Sequence, residues 1–101
     1  MNNKLLVAAS IALLAMAGTA QAGGDANAGK QKAATCAGCH GADGKGVAPN
    51  PPLAGLKESY FVEQLKAYKS GARANPMMKQ FASGLSDQDM ADLAAYYASL
   101  K

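Results

Sequence analysis

The chain has 101 residues, half of them hydrophobic, and a formal net charge of +3. One of its ten basic residues, Lys4, lies in an N-terminal segment that we expect to be removed, which leaves nine basic against seven acidic residues, a net charge of +2. Basic residues so few and so spread along the chain do not indicate a nucleic-acid-binding protein. The length allows one small domain, and such domains usually need a cofactor, a metal or disulfides for stability.

The first 22 residues have the pattern of a cleaved secretory signal peptide. Lys4 gives a basic start, residues 5–17 form an apolar run, and Ala-Gln-Ala at residues 20–22 matches a small-x-small cleavage signal. The run is short for a membrane span, although an uncleaved anchor is the alternative interpretation. We therefore expect residues 23–101 to form a periplasmic domain with no stable membrane insertion after cleavage.

A first helix is predicted over about Ala26–Ala34, with Asp25 as its N-cap. It leads into the sequence Cys-Ala-Gly-Cys-His at residues 36–40. Two thiols at this spacing, followed at once by an imidazole, are typical of a c-type haem attachment site. The thiols of Cys36 and Cys39 can each form a thioether with one vinyl group of the porphyrin, and His40 can then ligate the iron. The motif therefore predicts one covalently bound haem c.

Three other kinds of site fit these residues less well. A structural zinc site needs four ligands, whereas the chain has two cysteines and one histidine. A thioredoxin-like redox pair follows a β-strand, and the residues before Cys36 do not have a strand pattern. A plain disulfide would close a very small loop and would leave His40 without a role.

The segment after the motif is predicted to be irregular, and a second helix follows it. The glycines of residues 41–46 match neither of the common phosphate-binding motifs and are better explained by turns. Prolines within residues 49–52 continue the irregular path. Ser59 is the candidate N-cap of the second helix and Gly71 its end. Its predicted apolar face comprises Phe61, Leu65 and Tyr68.

The last helix has the clearest start signal. Ser86 with Asp89 three residues later resembles a capping box, and Leu85 and Met90 flank it as a hydrophobic staple. Apolar residues then recur at helical spacing and predict a core-facing stripe, formed by Met90, Leu93, Ala94 and Tyr97.

A sixth iron ligand has to come from a residue other than histidine, because His40 is the one histidine in the chain. Methionine, lysine, water and an open position remain, and methionine is the leading candidate. Met1 and Met16 would leave with the signal peptide, and Met90 lies on the apolar stripe. Met77 and Met78 follow Asn-Pro in a stretch that we expect to be irregular. The alternative is that these two methionines only fill a gap in the core.

Taken together, the residues resemble small bacterial class I cytochromes c of the cytochrome c553, c5 and c4-domain type. The resemblance covers nearly all of residues 23–101. Beyond the attachment motif it includes the following segments: Ala28-Gly29-Lys30, Pro51-Pro52-Leu53-Ala54-Gly55, Tyr60 with Gln64-Leu65, Gly71-Ala72-Arg73, Asn75-Pro76-Met77-Met78, Leu85-Ser86-Asp87 and Leu93-Ala94-Ala95-Tyr96.

The resemblance implies an all-α class I cytochrome c fold, with three main helices and loops around one haem. The first and last helices should cross near Gly29, where a missing side chain allows close approach. In this family the ligand methionine lies two residues after the proline and seven before Leu-Ser-Asp, which favours Met78 over Met77. Pro51 should accept a hydrogen bond from His40, and Leu53 should pack on the porphyrin. Many relatives have an aromatic residue where this chain has Ala33.

The function implied is that of a periplasmic one-electron carrier and not of an enzyme, because an iron with two protein ligands has no free position for a substrate. We expect transient complexes with larger redox proteins of a respiratory chain, such as a quinol-oxidising complex as donor and a terminal oxidase or reductase as acceptor. Two alternatives remain. One is a haem protein whose sixth position is open to a small gas or peroxide, as a sensor or peroxidase-like protein. The other is a haem subunit of a larger redox complex.

Overall fold

The computed structural model describes residues 23–100, so the expected signal peptide at residues 1–22 lies outside the described part. Apart from one isolated bridge between Val47 and Asn50, regular structure within residues 23–100 is helical. The helices are α1 (Ala26–Lys32), α2 (Ala34–His40), α3 (Glu58–Ser70), α4 (Pro76–Ser83) and α5 (Asp87–Ser99). The all-α class is therefore confirmed. No helix in this part of the chain is long and apolar enough to cross a membrane.

The predicted first helix ends earlier than expected, at Lys32, and a second helix, α2, follows it almost directly and carries the cysteine motif. Asp25 is the N-cap of α1, as expected, and accepts a hydrogen bond of 2.9 Å from the Asn27 amide. Ala33, between α1 and α2, keeps a helical backbone and continues the hydrogen-bond ladder, with its amide 2.8 Å from the Gly29 oxygen. The helical path ends at Gly41, whose φ of +89° favours glycine. The two cysteines therefore lie on a helix, close to one turn apart.

Helix α3 has the predicted apolar face but a different start. Its buried residues are Phe61, Leu65 and Tyr68, as expected. Ser59 is not the N-cap: the helix begins at Glu58 after Lys57, which makes no capping side-chain bond. This end of the helix is exposed, so water can satisfy its first amides without a capping side chain. Burial of the apolar face, more than the cap, positions this helix.

The sequence analysis predicts an irregular stretch around the two methionines. This prediction is wrong, because the stretch forms helix α4. Asn75 is its N-cap and accepts a hydrogen bond of 3.1 Å from the Met78 amide, while Pro76 occupies the first helical position. Asparagine followed by proline is a recognised helix start, because proline lacks the amide hydrogen that would otherwise be unsatisfied there. Asn75 and Pro76 are therefore a helix-start signal that the sequence contains and that the sequence analysis did not use.

Helix α5 begins with the predicted capping box and packs across α1. Ser86 and Asp89 exchange side-chain-to-backbone hydrogen bonds of 2.9 and 3.0 Å. At the crossing, a Cβ added to Gly29 would collide with the Asp92 carbonyl and lie 2.8 Å from Tyr96 Cβ. The close approach at Gly29 is therefore confirmed. The predicted stripe of Met90, Leu93, Ala94 and Tyr97 is buried.

A network of charged and polar groups stabilises the crossing of α1 and α5. Asp92 is only 3% exposed, and its carboxylate accepts hydrogen bonds from the Asp25 amide (2.8 Å), the Lys32 ammonium (2.5 Å) and the Gln88 amide group (2.8 Å). Lys32 also forms an ion pair of 2.9 Å with Asp89. The Asp25 amide, followed by Lys32 and then Gln88, lowers the pKa of Asp92 to about 2. The ionised carboxylate is therefore the form that holds α1 to α5.

Replacing Asp92 with asparagine is expected to lower the thermal unfolding midpoint of the holoprotein by several degrees at pH 7. A carboxylate with a folded pKa of about 2 and an unfolded pKa of about 3.9 stabilises the fold above about pH 4, and this contribution disappears as the pH falls towards 2. The difference in unfolding midpoint between wild type and Asp92→Asn should therefore become smaller as the pH falls from about 4 towards 2. Asp87→Asn is the matched control, since Asp87 is exposed on the same helix. If both variants lowered the thermal unfolding midpoint equally, the stabilising role given to the Asp92 carboxylate would be wrong.

Candidate functional site

The predicted site residues line one cavity of about 690 Å³ that lies among the helices. The volume is in the range typical of cofactor sites, about 300–1,000 Å³. All five helices and the loop before α3 contribute to its wall. The residues that the sequence analysis selected, all of which line this cavity, are Cys36, Cys39, His40, Pro51, Leu53, Met77 and Met78.

The two cysteines present free thiols from helix α2. Cys36 is half-buried and packs against the hydrophobic core, whereas Cys39 is exposed. Burial raises the pKa of the Cys36 thiol, and burial together with the neighbouring Cys36 raises the pKa of the Tyr97 hydroxyl. One edge of the cavity therefore has two free thiols, with Cys39 on the solvent side and Cys36 on the core side.

His40 has one ring nitrogen already engaged. The side chain is 6% exposed, and its Nδ1 lies 2.7 Å from the Pro51 carbonyl oxygen. A carbonyl can only accept a hydrogen bond, so Nδ1 is the protonated nitrogen and Nε2 keeps the lone pair that a metal requires. This is the contact between His40 and Pro51 that the family resemblance implies.

Short hydrogen bonds fix the loop that presents Pro51. The Gly46 amide donates to the His40 carbonyl at 2.8 Å, and the Asn50 side chain donates to the Cys39 carbonyl at 3.0 Å. The Leu53 amide bonds to the Gly44 carbonyl at 2.6 Å, which draws Leu53 to the cavity wall. The loop is thus tied to the end of α2, and the imidazole has one preferred orientation.

The two candidate methionines differ in burial. Met78 is half-buried and packs against the hydrophobic core, whereas Met77 is 60% exposed. Consecutive residues on a helix point about 100° apart, so α4 can direct only one of the two side chains towards the core. Met90 is fully buried in the core and does not line the cavity.

Several lining residues were not selected by the sequence analysis as site residues. The apolar part of the wall includes Leu56, Phe61, Leu65, Leu85 and Leu93. The polar part includes Lys32, Tyr60, Gln64, Tyr68 and Arg73. Gln64 and Arg73 belong to segments that carry the family resemblance, and this was the one signal that could have singled them out.

The residues present fit a c-type haem. The cavity offers two thiols for thioether bonds, an imidazole with its lone pair on Nε2, a thioether sulfur and apolar walls. Within residues 23–100, no group of three or more His, Cys, Asp or Glu side chains could hold a metal ion directly. The donor set thus suits an iron that brings four of its own ligands in a porphyrin ring, and it does not suit a zinc site.

Comparison with known proteins gives consistent matches. Residues 26–101 match the family described as Cytochrome c. Cytochrome c4 of Pseudomonas aeruginosa is 51% identical over 100 residues, which cover 98% of this chain and 49% of that protein. Cytochrome c-554(548) of Halomonas halodenitrificans is 49% identical over 80 residues, covering 75% of this chain and 96% of that protein. The crystal structure of reduced cytochrome c4 from Pseudomonas stutzeri superposes with a TM-score of 0.72 at 43% identity, covering 77% of this chain and 46% of the other. The chain thus spans about half the length of the cytochrome c4 relatives.

Proposed function

The chain belongs to the cytochrome c family of electron carriers with covalently bound haem c, and from this we propose that it is a periplasmic one-electron carrier whose iron is held between His40 and Met78. The observation that carries the proposal is the arrangement of the cavity. His40, oriented by Pro51, and a half-buried Met78 both line the space next to the two thiols.

When bound, haem supplies an iron that alternates between Fe(II) and Fe(III). The chain's own residues hold the group and set the balance between the two states. Nδ1 of His40 keeps its proton on the Pro51 carbonyl, so Nε2 is the ligating atom. Met78 supplies a thioether, which favours the reduced state more than a second imidazole would. Two protein ligands leave no position for a substrate, which matches a carrier.

The apolar part of the cavity wall should favour Fe(II), which has the lower charge of the two iron states. Phe61, Leu65 and Leu93 are buried side chains of the core that also face the cavity. A low-dielectric surrounding makes the additional charge of Fe(III) unfavourable and so raises the reduction potential. Electrons would pass through the edge next to the exposed Cys39, where no protein layer has to move.

We infer a single haem for this chain. Two cysteines and one histidine supply one attachment motif in 101 residues. The match to 96% of the length of cytochrome c-554(548) of Halomonas halodenitrificans supports a unit of one cytochrome domain.

The location and the partners are part of the same proposal. The signal-peptide pattern of residues 1–22 supports export to the periplasm. Partners would be larger redox proteins, such as a quinol-oxidising complex that donates electrons and a terminal oxidase or reductase that accepts them. Such encounters are short-lived and need only a small interface. Exposed apolar side chains at the cavity mouth, among them Tyr60 and Phe81, are suited to it.

The proposal is tested on protein purified from a host that attaches c-type haem. We expect a coloured protein that takes up and releases one electron reversibly, whose Fe(III) form shows the near-infrared sulfur-to-iron charge-transfer band and whose Fe(II) form does not bind carbon monoxide. A colourless product would contradict haem attachment. Ready binding of carbon monoxide would instead support a sensor or peroxidase-like protein with an open sixth position.

A further inference from the structure

A second cavity, of about 160 Å³, lies where α1 and α2 pack against α5. The rings of Tyr96 and Tyr97 form one part of its wall, with Tyr97 only 1% exposed. Alanine methyl groups form most of the rest, from Ala33, Ala34, Ala37 and Ala42. None of these residues lines the haem cavity. We call this space the alanine–tyrosine pocket. It opens to solvent beside Ala34 and Ala42, which are both exposed.

The size and the lining of the alanine–tyrosine pocket suit a single aromatic ring. An apolar cavity of about 150 Å³ is large enough to bind benzene, and this pocket has about the same volume. Methyl groups and tyrosine rings offer apolar surface, and a bound ring can stack face to face or edge to face with Tyr96. Lys30, an exposed residue that also lines the pocket, can donate a hydrogen bond to a ring hydroxyl. A phenol or a hydroquinone therefore fits.

Contacting aromatic rings connect this pocket with the haem cavity. Tyr96 and Tyr97 meet edge to face with their ring centroids 5.1 Å apart. Tyr97 in turn stacks on Phe61, with centroids 5.5 Å apart and an angle of 24° between the planes. Phe61 is buried and lines the haem cavity. The Tyr97 hydroxyl also lies next to Cys36, one of the two residues that would bind haem covalently. Tyr97 and Phe61 therefore span the core between the two cavities.

We propose that the alanine–tyrosine pocket binds a small hydroquinone, which reduces the haem iron by electron transfer through Tyr97 and Phe61. The proposal rests on the proposed function, since it requires haem in the larger cavity. One electron passes from the bound ring to Fe(III), which becomes Fe(II), and one proton leaves the ring for water. A second Fe(III) protein takes the second electron, and the second proton is released. One hydroquinone thus reduces two proteins and becomes a quinone, while Tyr97 and Phe61 serve as electronic contacts and are unchanged.

Binding is tested in the Fe(II) holoprotein with phenol, which has the same ring and cannot reduce the iron further. In NMR titrations the methyl signals of Ala34 and Ala37 should shift and saturate, whereas the signal of Ala72, exposed in the turn between α3 and α4, should not. Ala34→Phe places a ring at the pocket and should weaken phenol binding roughly tenfold or more. Gln31→Phe is the matched control, because it adds the same ring to an exposed position of α1 outside the pocket.

The electron path is tested by stopped-flow reduction of the Fe(III) holoprotein. With hydroquinone the wild-type rate should saturate, and phenol should inhibit it competitively. Hexacyanoferrate(II) is too bulky for the pocket, so its rate should not respond to phenol. Phe61→Leu keeps an apolar side chain but removes the ring beside Tyr97. The ratio of the limiting hydroquinone rate to the hexacyanoferrate(II) rate should then fall about threefold or more, with phenol binding unchanged. Because both reductants act on the same iron, this ratio largely cancels a change in reduction potential.

Several outcomes would overturn the proposal. They are a linear dependence of the wild-type rate on hydroquinone, saturation that persists in Ala34→Phe, and an unchanged rate ratio in Phe61→Leu. If Ala34→Phe does not mature, Ala42→Phe carries the test, because it adds a ring to the same pocket from the loop after α2. Failure of the proposed function is distinguishable, since a colourless product or ready binding of carbon monoxide is observed before any hydroquinone is added.

Discussion

Replacing Met78 with alanine is expected to abolish the near-infrared sulfur-to-iron charge-transfer band of the Fe(III) protein and to let the Fe(II) protein bind carbon monoxide. Without the thioether, His40 would be the one residue of the proposed pair left to ligate the iron. The reduction potential should fall by about 0.1 V or more, a small part of the roughly 0.8 V over which axial ligands set haem potentials. Absorption spectroscopy and a redox titration of the purified variant measure these effects.

Met77→Ala is the matched control for this experiment. Met77 is adjacent on α4 and also lines the cavity, but it is 60% exposed, whereas Met78 packs against the core. The variant should keep the band, remain closed to carbon monoxide and hold its potential near that of the wild type. If the two variants show the opposite pattern, the ligand is Met77. If both keep the band, the sulfur ligand is a third residue and the proposed coordination is wrong.

Replacing both Cys36 and Cys39 with serine is expected to give a chain that carries no covalent haem and is largely unfolded or molten. The substitutions themselves are small, and Cys39 is exposed. The cavity is the reason for the large effect. Without haem, the side chains around a cavity of about 690 Å³ lose their packing partner, and a small domain has only about 5–15 kcal/mol of stability to offset that loss. Water would enter the open cavity, and its apolar wall would lose the burial that stabilises it.

Circular dichroism of the haem-free double variant measures this outcome. We expect a weak helical signal without a cooperative thermal transition. Added free haem supplies the control, because His40 and Met78 remain and binding of haem should restore part of the helical signal by mass action. A native-like helical spectrum with a sharp transition in the absence of haem would contradict the prediction.

Most of the correct predictions from the sequence depend on interactions between residues that are close together in the chain. The attachment motif occupies five consecutive residues, and the caps at Asp25 and Ser86 act on amides two or three positions away. The apolar stripes of α3 and α5 follow from helical periodicity. Failures occurred where a local signal was ambiguous or overlooked. Ser59 is a good cap residue that the exposed start of α3 does not use. The sequence analysis predicts an irregular stretch where Asn75 and Pro76 in fact start α4.

The cofactor, the all-α class and the few residues able to ligate iron could be predicted without a fold, because they depend on residue type and on spacing within a few positions. Contacts between distant residues became known from the folded structure alone. Asp92 binds groups of residues 25 and 32, more than fifty positions away, and Gln64 and Tyr68 together hold Arg73 at the cavity wall. Such contacts depend on which helix faces pack against each other, and packing is a property of the whole domain that no local pattern specifies.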